Sequence, residues 1–362
     1  MSDLDQWKVH GPVRTLRSEF ATWDLDLQDW KAARHFNMAS FRVDGAILGL
    51  EAHNADGSIA HSQWLYDDAG RLIETNFWSD EEPVNRTMYL YDDSGRHLRT
   101  THLGGDGVAR DIEDSKYDAD GQKTKVRFLS LPNSESTVAS ESSLIAHTGY
   151  SIEGTDSAYG APGATTMTTT YDEGNLPAQV DFHDVNERLL SSVTFLRNDE
   201  GRVLREEMRK GEKSPFQEFL DRASPEEREQ LAAVFDAVLG DTVWSATYEY
   251  DAQGRRATRE HRLGTLGGDF TIYRYENHDE PVEETTTYHS REGSLDETGG
   301  LHYSSAQVRV QHNRIEYIYD ALDNWTERTV SSRSEAEPNF RYSNRERRVL
   351  TYYSAEEKTR IA

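Results

Sequence analysis

The sequence contains no cysteine, which excludes disulfides, thiolate metal sites and a cysteine nucleophile. No apolar run reaches transmembrane length, and the stretch from Met1 to Pro12 lacks the basic and apolar regions of a secretion signal. Cytoplasm is the expected location, with export by a specialised system left open. Positive charge is scarce as well: 40 basic residues face 65 acidic ones, for a formal net charge of −25. So anionic a surface disfavours nucleic acid and anionic membranes and favours solubility, while basic partners remain compatible with it. Hydrophobic residues make up 35% of the chain. Counting Gly and omitting Tyr gives about 37%, against roughly 45–50% in ordinary domains. A sheet with one wetted face fits that deficit better than a tightly filled sandwich. Motifs of known chemistry are missing too. No GxSxG, P-loop, GxGxxG or HExxH phrase occurs.

What is present is a phrase that repeats. Tyr66-Asp67-Asp68-Ala69-Gly70-Arg71 returns 25 residues later as Tyr91-Asp92-Asp93-Ser94-Gly95-Arg96. Before each phrase aromatics stand two apart, as in Trp64 and Tyr66, Tyr89 and Tyr91, Tyr248 and Tyr250. Period two places such a pair on one face of a strand, a half-buried setting that aromatics favour. Asp67, Asp92 and Asp251 then open turns by bonding to backbone just ahead. Gly70, Gly95, Gly121, Gly201 and Gly254 supply the positive φ that a short bulged hairpin loop requires. Weaker half-units lie between the strong ones, with steps of 12, 13, 12, 13, 12 and 14 residues from 41 to 117. Each half-unit reads as a strand plus a turn, and two make a hairpin.

YDDAGR, YDDSGR, YDADGQ, YDEGN, RNDEGR, YDAQGR and YDALDNW, together with ERRVLTYY at 346–353, resemble the YD-repeat or RHS-repeat family. The resemblance implies a long β-sheet that, in large members, spirals into a hollow shell around a cargo, often a toxin. Neither the DPxG-type motif of that family's self-cleaving core nor a separate C-terminal effector domain is found in the sequence.

The spacing predicts an all-β fold of antiparallel hairpin repeats, about 22 strands in one curled sheet, a spiral or a large barrel. Residues 1–12 read as a lead-in, 13–353 as one repeat domain, and 354–362 as a C-terminal tail. Inserts interrupt the phase at 131–164, 214–240 and 290–307. The first carries mainly loop signals, with a weak signal for a short helix near 137–146. The second holds a helix near 224–239: Ser224 as N-cap, Pro225 at the first helical position, and Leu231, Val234, Phe235 and Val238 at helical spacing before Gly240.

Candidate chemistry is sparse. Asn54 to Gly57 and Asp118 to Gly121 look like starts of calcium loops, but the twelfth positions are Leu65 and Leu129, where a bidentate carboxylate is needed. His97 and His102 are five apart, which on one straight strand sets them on opposite faces. No catalytic, cofactor or metal residue is singled out. The leading expectation is a non-enzymatic β-shell or binding scaffold that holds a protein, peptide or carbohydrate on its curled sheet, with no nucleic acid, membrane or cofactor. Two alternatives stand beside it: an enzyme or effector with its site in the inserts, or a companion protein of a toxin-delivery system.

Overall fold

The fold is that of a computed structural model, which describes residues 3–32, 34–54, 57–130, 150–151, 158–159, 164–211, 224, 241–264, 267–290, 293–295, 301–303 and 307–357. The helix expected near 224–239 lies outside the described residues. A short helix, α1 (Asp3–Gln6), comes first. Strands follow as β1 (Val13–Asp24), β2 (Asp29–Trp30), β3 (Arg34–Phe41), β4 (Ile47–His53), β5 (Ile59–Tyr66), β6 (Leu72–Ser79), β7 (Glu82–Tyr91), β8 (His97–Gly104) and β9 (Ala109–Tyr117). Next are β10 (Lys123–Ser130), β11 (Tyr150–Ser151), β12 (Ala158–Tyr159), β13 (Thr166–Tyr171), β14 (Pro177–His183), β15 (Leu189–Arg197), β16 (Val203–Lys210), β17 (Thr242–Tyr250), β18 (Arg256–Leu263) and β19 (Gly267–Arg274). The last are β20 (Glu283–Ser290), β21 (Gly293–Leu295), β22 (Leu301–Tyr303), β23 (Gln307–Tyr319), β24 (Trp325–Ser334) and β25 (Arg341–Tyr352).

The protein is all-β, and its main sheet has 21 strands, close to the number the repeat spacing implies. The inserts at 131–164 and 290–307 each contain a two-stranded ladder, β11 with β12 and β21 with β22, and the helix signal near 137–146 lies outside the described residues. Contacts divide the chain into two compact units. In unit 1 (Met1–Ile112, Glu280–Glu283 and His312–Ala362), antiparallel neighbours run β24, β25, β1, β3, β4, β5, β6, β7, β8. The first and last long strands are therefore hydrogen-bonded to each other, as a sheet that curls requires. In unit 2 (Glu113–Asp279 and Glu284–Gln311), they run β10, β13, β14, β15, β16, β17, β18, β19.

Each unit buries one side of its strands. Val13, Leu16, Ala39, Phe41 and Ile47 form the core of unit 1, with Leu4 and Val9 of the lead-in laid over them. Val126, Val180, Phe182, Val193, Met208 and Val243 form that of unit 2. Each of the larger of these side chains contributes roughly 1.5–3 kcal/mol by leaving water.

One turn recurs and fixes the hairpins. At Asp67, Gly70 N–H donates to Asp67 O at 2.9 Å and Asp67 N–H to Arg71 O at 2.9 Å. The Asp67 carboxylate caps the turn, accepting from Ala69 N–H at 3.0 Å, Arg71 N–H at 2.8 Å and Arg71 Nε at 2.7 Å. Gly70 closes it at φ +78°, a conformation that costs a side-chain-bearing residue roughly 1–2 kcal/mol. A bulge follows in the second strand: the register shifts at Leu65/Tyr66, Leu90/Tyr91, Thr170/Tyr171, Leu196/Arg197 and Glu249/Tyr250 leave Ile73, Leu98, Ala178, Leu204 and Ala257 as extra residues. It is separate from the left-handed glycine, because Tyr66 still pairs with Leu72 in the register of the turn and the shift comes only at Ile73.

The bulge corrects the expectation for His97 and His102. The His97 ring lies 5.9 Å from Tyr89 and 5.6 Å from Tyr91, and His102 Nδ1 is 3.2 Å from Thr87 Oγ1. Thr87, Tyr89 and Tyr91 share one face of β7, so both histidines lie on it. Three turns dispense with glycine and hold Asn175, Glu187 and Asp323 at φ +59°, +60° and +66°. In the turn Asp172 to Asn175, the neighbouring Gly174 is not the left-handed residue.

Gly95→Val, at φ +86°, is expected to lower stability by roughly 1–3 kcal/mol. Glu187→Gly is expected to raise it, by about 0.5–1 kcal/mol, because strain is relieved at an exposed site. Urea denaturation of the two variants checks both signs. A pH scan tests the cap itself. The Arg188 guanidinium, with the Arg188 and Asn186 amides, holds the Asp184 carboxyl at about 2, below its value of ~3.9 in an unfolded chain. The ionised carboxylate therefore stabilises fully above about pH 4, and that contribution is lost as pH falls through about 2. Asp184→Asn should be less stable at neutral pH and lose less between those limits, as read by its melting temperature.

Candidate functional site

The residues marked in the sequence all lie in turns. Gly70, Gly95, Gly121, Gly201 and Gly254 have φ of +78°, +86°, +84°, +79° and +80°. Asp92 and Asp251 repeat the capping of Asp67, accepting from the amide and Nε of Arg96 and of Arg255. Asp118 of the calcium-like phrase spends Oδ1 on the amides of Asp120 and Gln122. Among the described residues no group of three or more His, Asp and Glu is placed to hold a metal ion.

The turns are linked to one another. The Arg71 guanidinium lies 5.2 Å from the Tyr91 ring centroid, and Tyr91 donates its hydroxyl proton to Leu72 O at 2.8 Å. The same pairing joins Arg42, Tyr66 and Ile47 O, and Arg255, Tyr275 and Arg256 O. In these the carbonyl is 19 residues upstream of the tyrosine. Where an insert intervenes it is 48 upstream for Tyr171 and 47 for Tyr250, with bonds of 2.8 and 2.9 Å. Burial pushes the Tyr66 and Tyr275 hydroxyls up to about 12, so they remain protonated donors. Arg197, standing where the repeat has tyrosine, turns back and donates to Gly201 O at 3.0 Å.

On the tyrosine-bearing face of unit 2 the strands β16 to β19 place charge where a core is expected. Cross-strand pairs set the residues side by side: Glu206 with Ala246, Tyr248 with Arg259, Arg259 with Thr271, and His261 with Asp269. Glu206 is fully buried and accepts the Tyr248 hydroxyl proton. The Arg256 guanidinium covers the Tyr248 ring at 4.5 Å. Arg259 donates from Nη2 to Asp269 Oδ1 at 2.7 Å. Burial pulls the Arg259 pKa down, but the hydrogen bond and charge of Asp269 outweigh it and raise the value above the ordinary one. Asp269 Oδ2 also lies 3.5 Å from His261 Nδ1.

This array ends at a cavity of about 450 Å³ lined by Glu260, His261, Arg262, Asp269, Phe270 and His289, with Gly264, Gly267, Gly268 and Ser290. The volume falls within the ~300–1,000 Å³ of small-ligand pockets. Both acids on its wall are matched by arginine, Asp269 by Arg259 and Glu260 by Arg262 at 2.6 Å. The wall thus offers imidazole, hydroxyl and paired-charge groups together with one aromatic ring. Gly267 and Gly268 permit close backbone approach, since a Cβ there would meet His289 O at 1.9 Å and His261 O at 2.0 Å. Sequence reading took this glycine pair as a plain hairpin tip and missed Glu206, Arg259, His261 and Asp269. A signal existed: Arg259 and His261 occupy the strand phase that elsewhere carries aromatics.

The chain is thus an all-β protein built from hairpin repeats. No family model matches it, and no curated protein matches it. Among solved structures, a porin-like protein from Bacteroides uniformis aligns over 95% of this chain and 98% of its own, at 8% identity and a TM-score of 0.33. A chain of a TcdB2-TccC3-Cdc42 complex aligns over 90% of this chain and 18% of its own, at 13% identity and a TM-score of 0.26. At these scores neither likeness carries an inference about this chain.

Tyr248→Phe removes the hydroxyl from the fully buried Glu206. The expected cost is about 1–3 kcal/mol, read from the urea midpoint at unchanged slope.

Proposed function

We propose that the chain is a non-enzymatic binding scaffold of the YD-repeat type, and that it holds a small polar ligand, a peptide or a carbohydrate at the unit 2 cavity. The supporting observation is where the repeat spends its residues. In the phrases at 66–71, 91–96 and 250–255, Asp binds Arg and Tyr binds the preceding hairpin, so the repeat builds a wall and leaves chemistry to the residues between. The cavity at β18, β19 and β20 is where those residues converge. A net charge of −25 argues against nucleic acid as the partner. The strand faces opposite the tyrosines carry ion pairs such as Glu74–Arg86 and Glu327–Arg347, which suits water better than lipid.

A thermal-shift screen of short peptides and oligosaccharides tests the proposal. A true ligand should protect the amides of β18, β19 and β20 from hydrogen exchange. Its binding should be lost in His261→Ala without a drop in melting temperature. The His261–Asp269 pair favours a second reading, an enzyme. Recovery of the ligand in chemically altered form would put that reading in place of the scaffold.

A further inference from the structure

Residues 3–12 lie on unit 1 without entering its sheet. Their hold is of three kinds. Leu4 and Val9 are buried and Trp7 packs edge-on against Phe41 at 6.2 Å, over a floor of Val13, Leu16, Ala39 and Ile47. Asp3 accepts the Ile47 N–H at 2.7 Å. The third hold addresses backbone alone. Arg348, stacked 3.4 Å from the Trp325 ring centroid, donates from Nη1 to Trp7 O at 3.2 Å. The Asn324 carboxamide binds both backbone groups of one residue, accepting His10 N–H through Oδ1 and donating from Nδ2 to His10 O at 2.9 Å.

Asn324 is a departure from the repeat. Its position is that of Arg71, Arg96, Arg188 and Arg255, whose side chains fold back onto their own turn aspartates. Asn324 keeps the backbone part of the turn, donating its amide to Asp320 Oδ1 at 3.0 Å. Its side chain, almost wholly buried, is spent on the segment instead. Asp320 in turn accepts from Tyr352, whose hydroxyl oxygen accepts the other Asn324 Nδ2 proton at 3.0 Å. The turn has been rebuilt around a peptide.

The segment also holds one strained residue. Lys8 is kept at φ +50°, a left-handed conformation unfavourable for a side-chain-bearing residue. Strain of that kind persists only while its surroundings enforce it.

We infer that this cleft is a peptide-recognition site. Its ligand is the pattern Asp-Leu-x-x-Trp-x-Val, held in cis by residues 3–9 and accepted in trans from a second copy of this chain. The carboxylate and the three apolar side chains give selectivity, while Arg348 and Asn324 read backbone and tolerate any side chain at position 10. The inference goes beyond the unit 2 cavity and stands without it.

The test is fluorescence anisotropy with a dye-labelled peptide of residues 1–12 added to the full chain. Wild-type chain should bind weakly, because its own segment competes. Trp7→Ala in the chain frees the cleft and should tighten binding at least about tenfold, the gain expected when an occupied site becomes competent. Leu4→Ala is the milder second variant. Adding Asn324→Ala to either should remove the gain, and a scrambled peptide should not bind. Equal binding to wild type and both variants, or binding that survives Asn324→Ala, overturns the inference. So does loss of the β circular dichroism signal in both Trp7→Ala and Leu4→Ala, which would make the segment an integral part of unit 1.

Discussion

A tyrosine hydroxyl bonded to the carbonyl at the start of the preceding hairpin is the contact on which the rest depends. Strand ladders alone do not define register strongly, since a slip by one residue costs little backbone bonding while turning every side chain to the other face. Here the slip is blocked at one end of each hairpin. Asp caps the turn and orients Arg, Arg covers the next Tyr, and Tyr reaches back to the carbonyl beside that Arg. Each element is modest by itself. A charge-assisted hydrogen bond, a cation–π contact and a buried neutral hydrogen bond each contribute on the order of 1 kcal/mol. Their value lies in being repeated and in sharing partners, so that one turn positions the next.

That arrangement also explains what could be read from the sequence. Spacing and turn chemistry are local, so Asp67, Gly70, Asp92, Gly95 and their equivalents announced the hairpins and the strand number. The bulge in the second strand, at Ile73 and Leu98, was not legible, because it lies past the turn and no turn residue announces it. His97 and His102 were misassigned for that reason, since the extra Leu98 between them returns both to one face. The polar array of unit 2 was hidden differently. Glu206 and Tyr248 are 42 residues apart, on either side of an insert, and nothing local relates them. Residues 1–12 read as a lead-in because their partners, Asn324 and Arg348, lie more than 300 positions away.

The two units spend the tyrosine-bearing face in different ways. In unit 1 it is apolar near β1, β3 and β4, and a segment of the chain itself covers it. In unit 2 the same phase carries Glu206, Arg259, His261 and Asp269, with Glu206 and Asp269 each matched by a donor. Buried polar groups cost folding free energy unless fully paired. Their placement on the face that elsewhere supplies the core marks the region where sequence has been shaped by something other than packing.

The pairing of β1 with β25 bears on how the molecule forms. Thr15 and Thr351 face each other across 336 positions of chain, a separation whose closure must be met before the contact returns any free energy. Successive hairpins can zip locally as they leave the ribosome, yet β1 has one open edge until the final strand arrives. For that interval the nascent chain exposes an unpaired strand next to apolar side chains, the condition under which chains associate wrongly. Synthesis rate and chaperone supply, more than equilibrium stability, should therefore govern how much of this protein a cell recovers in folded form.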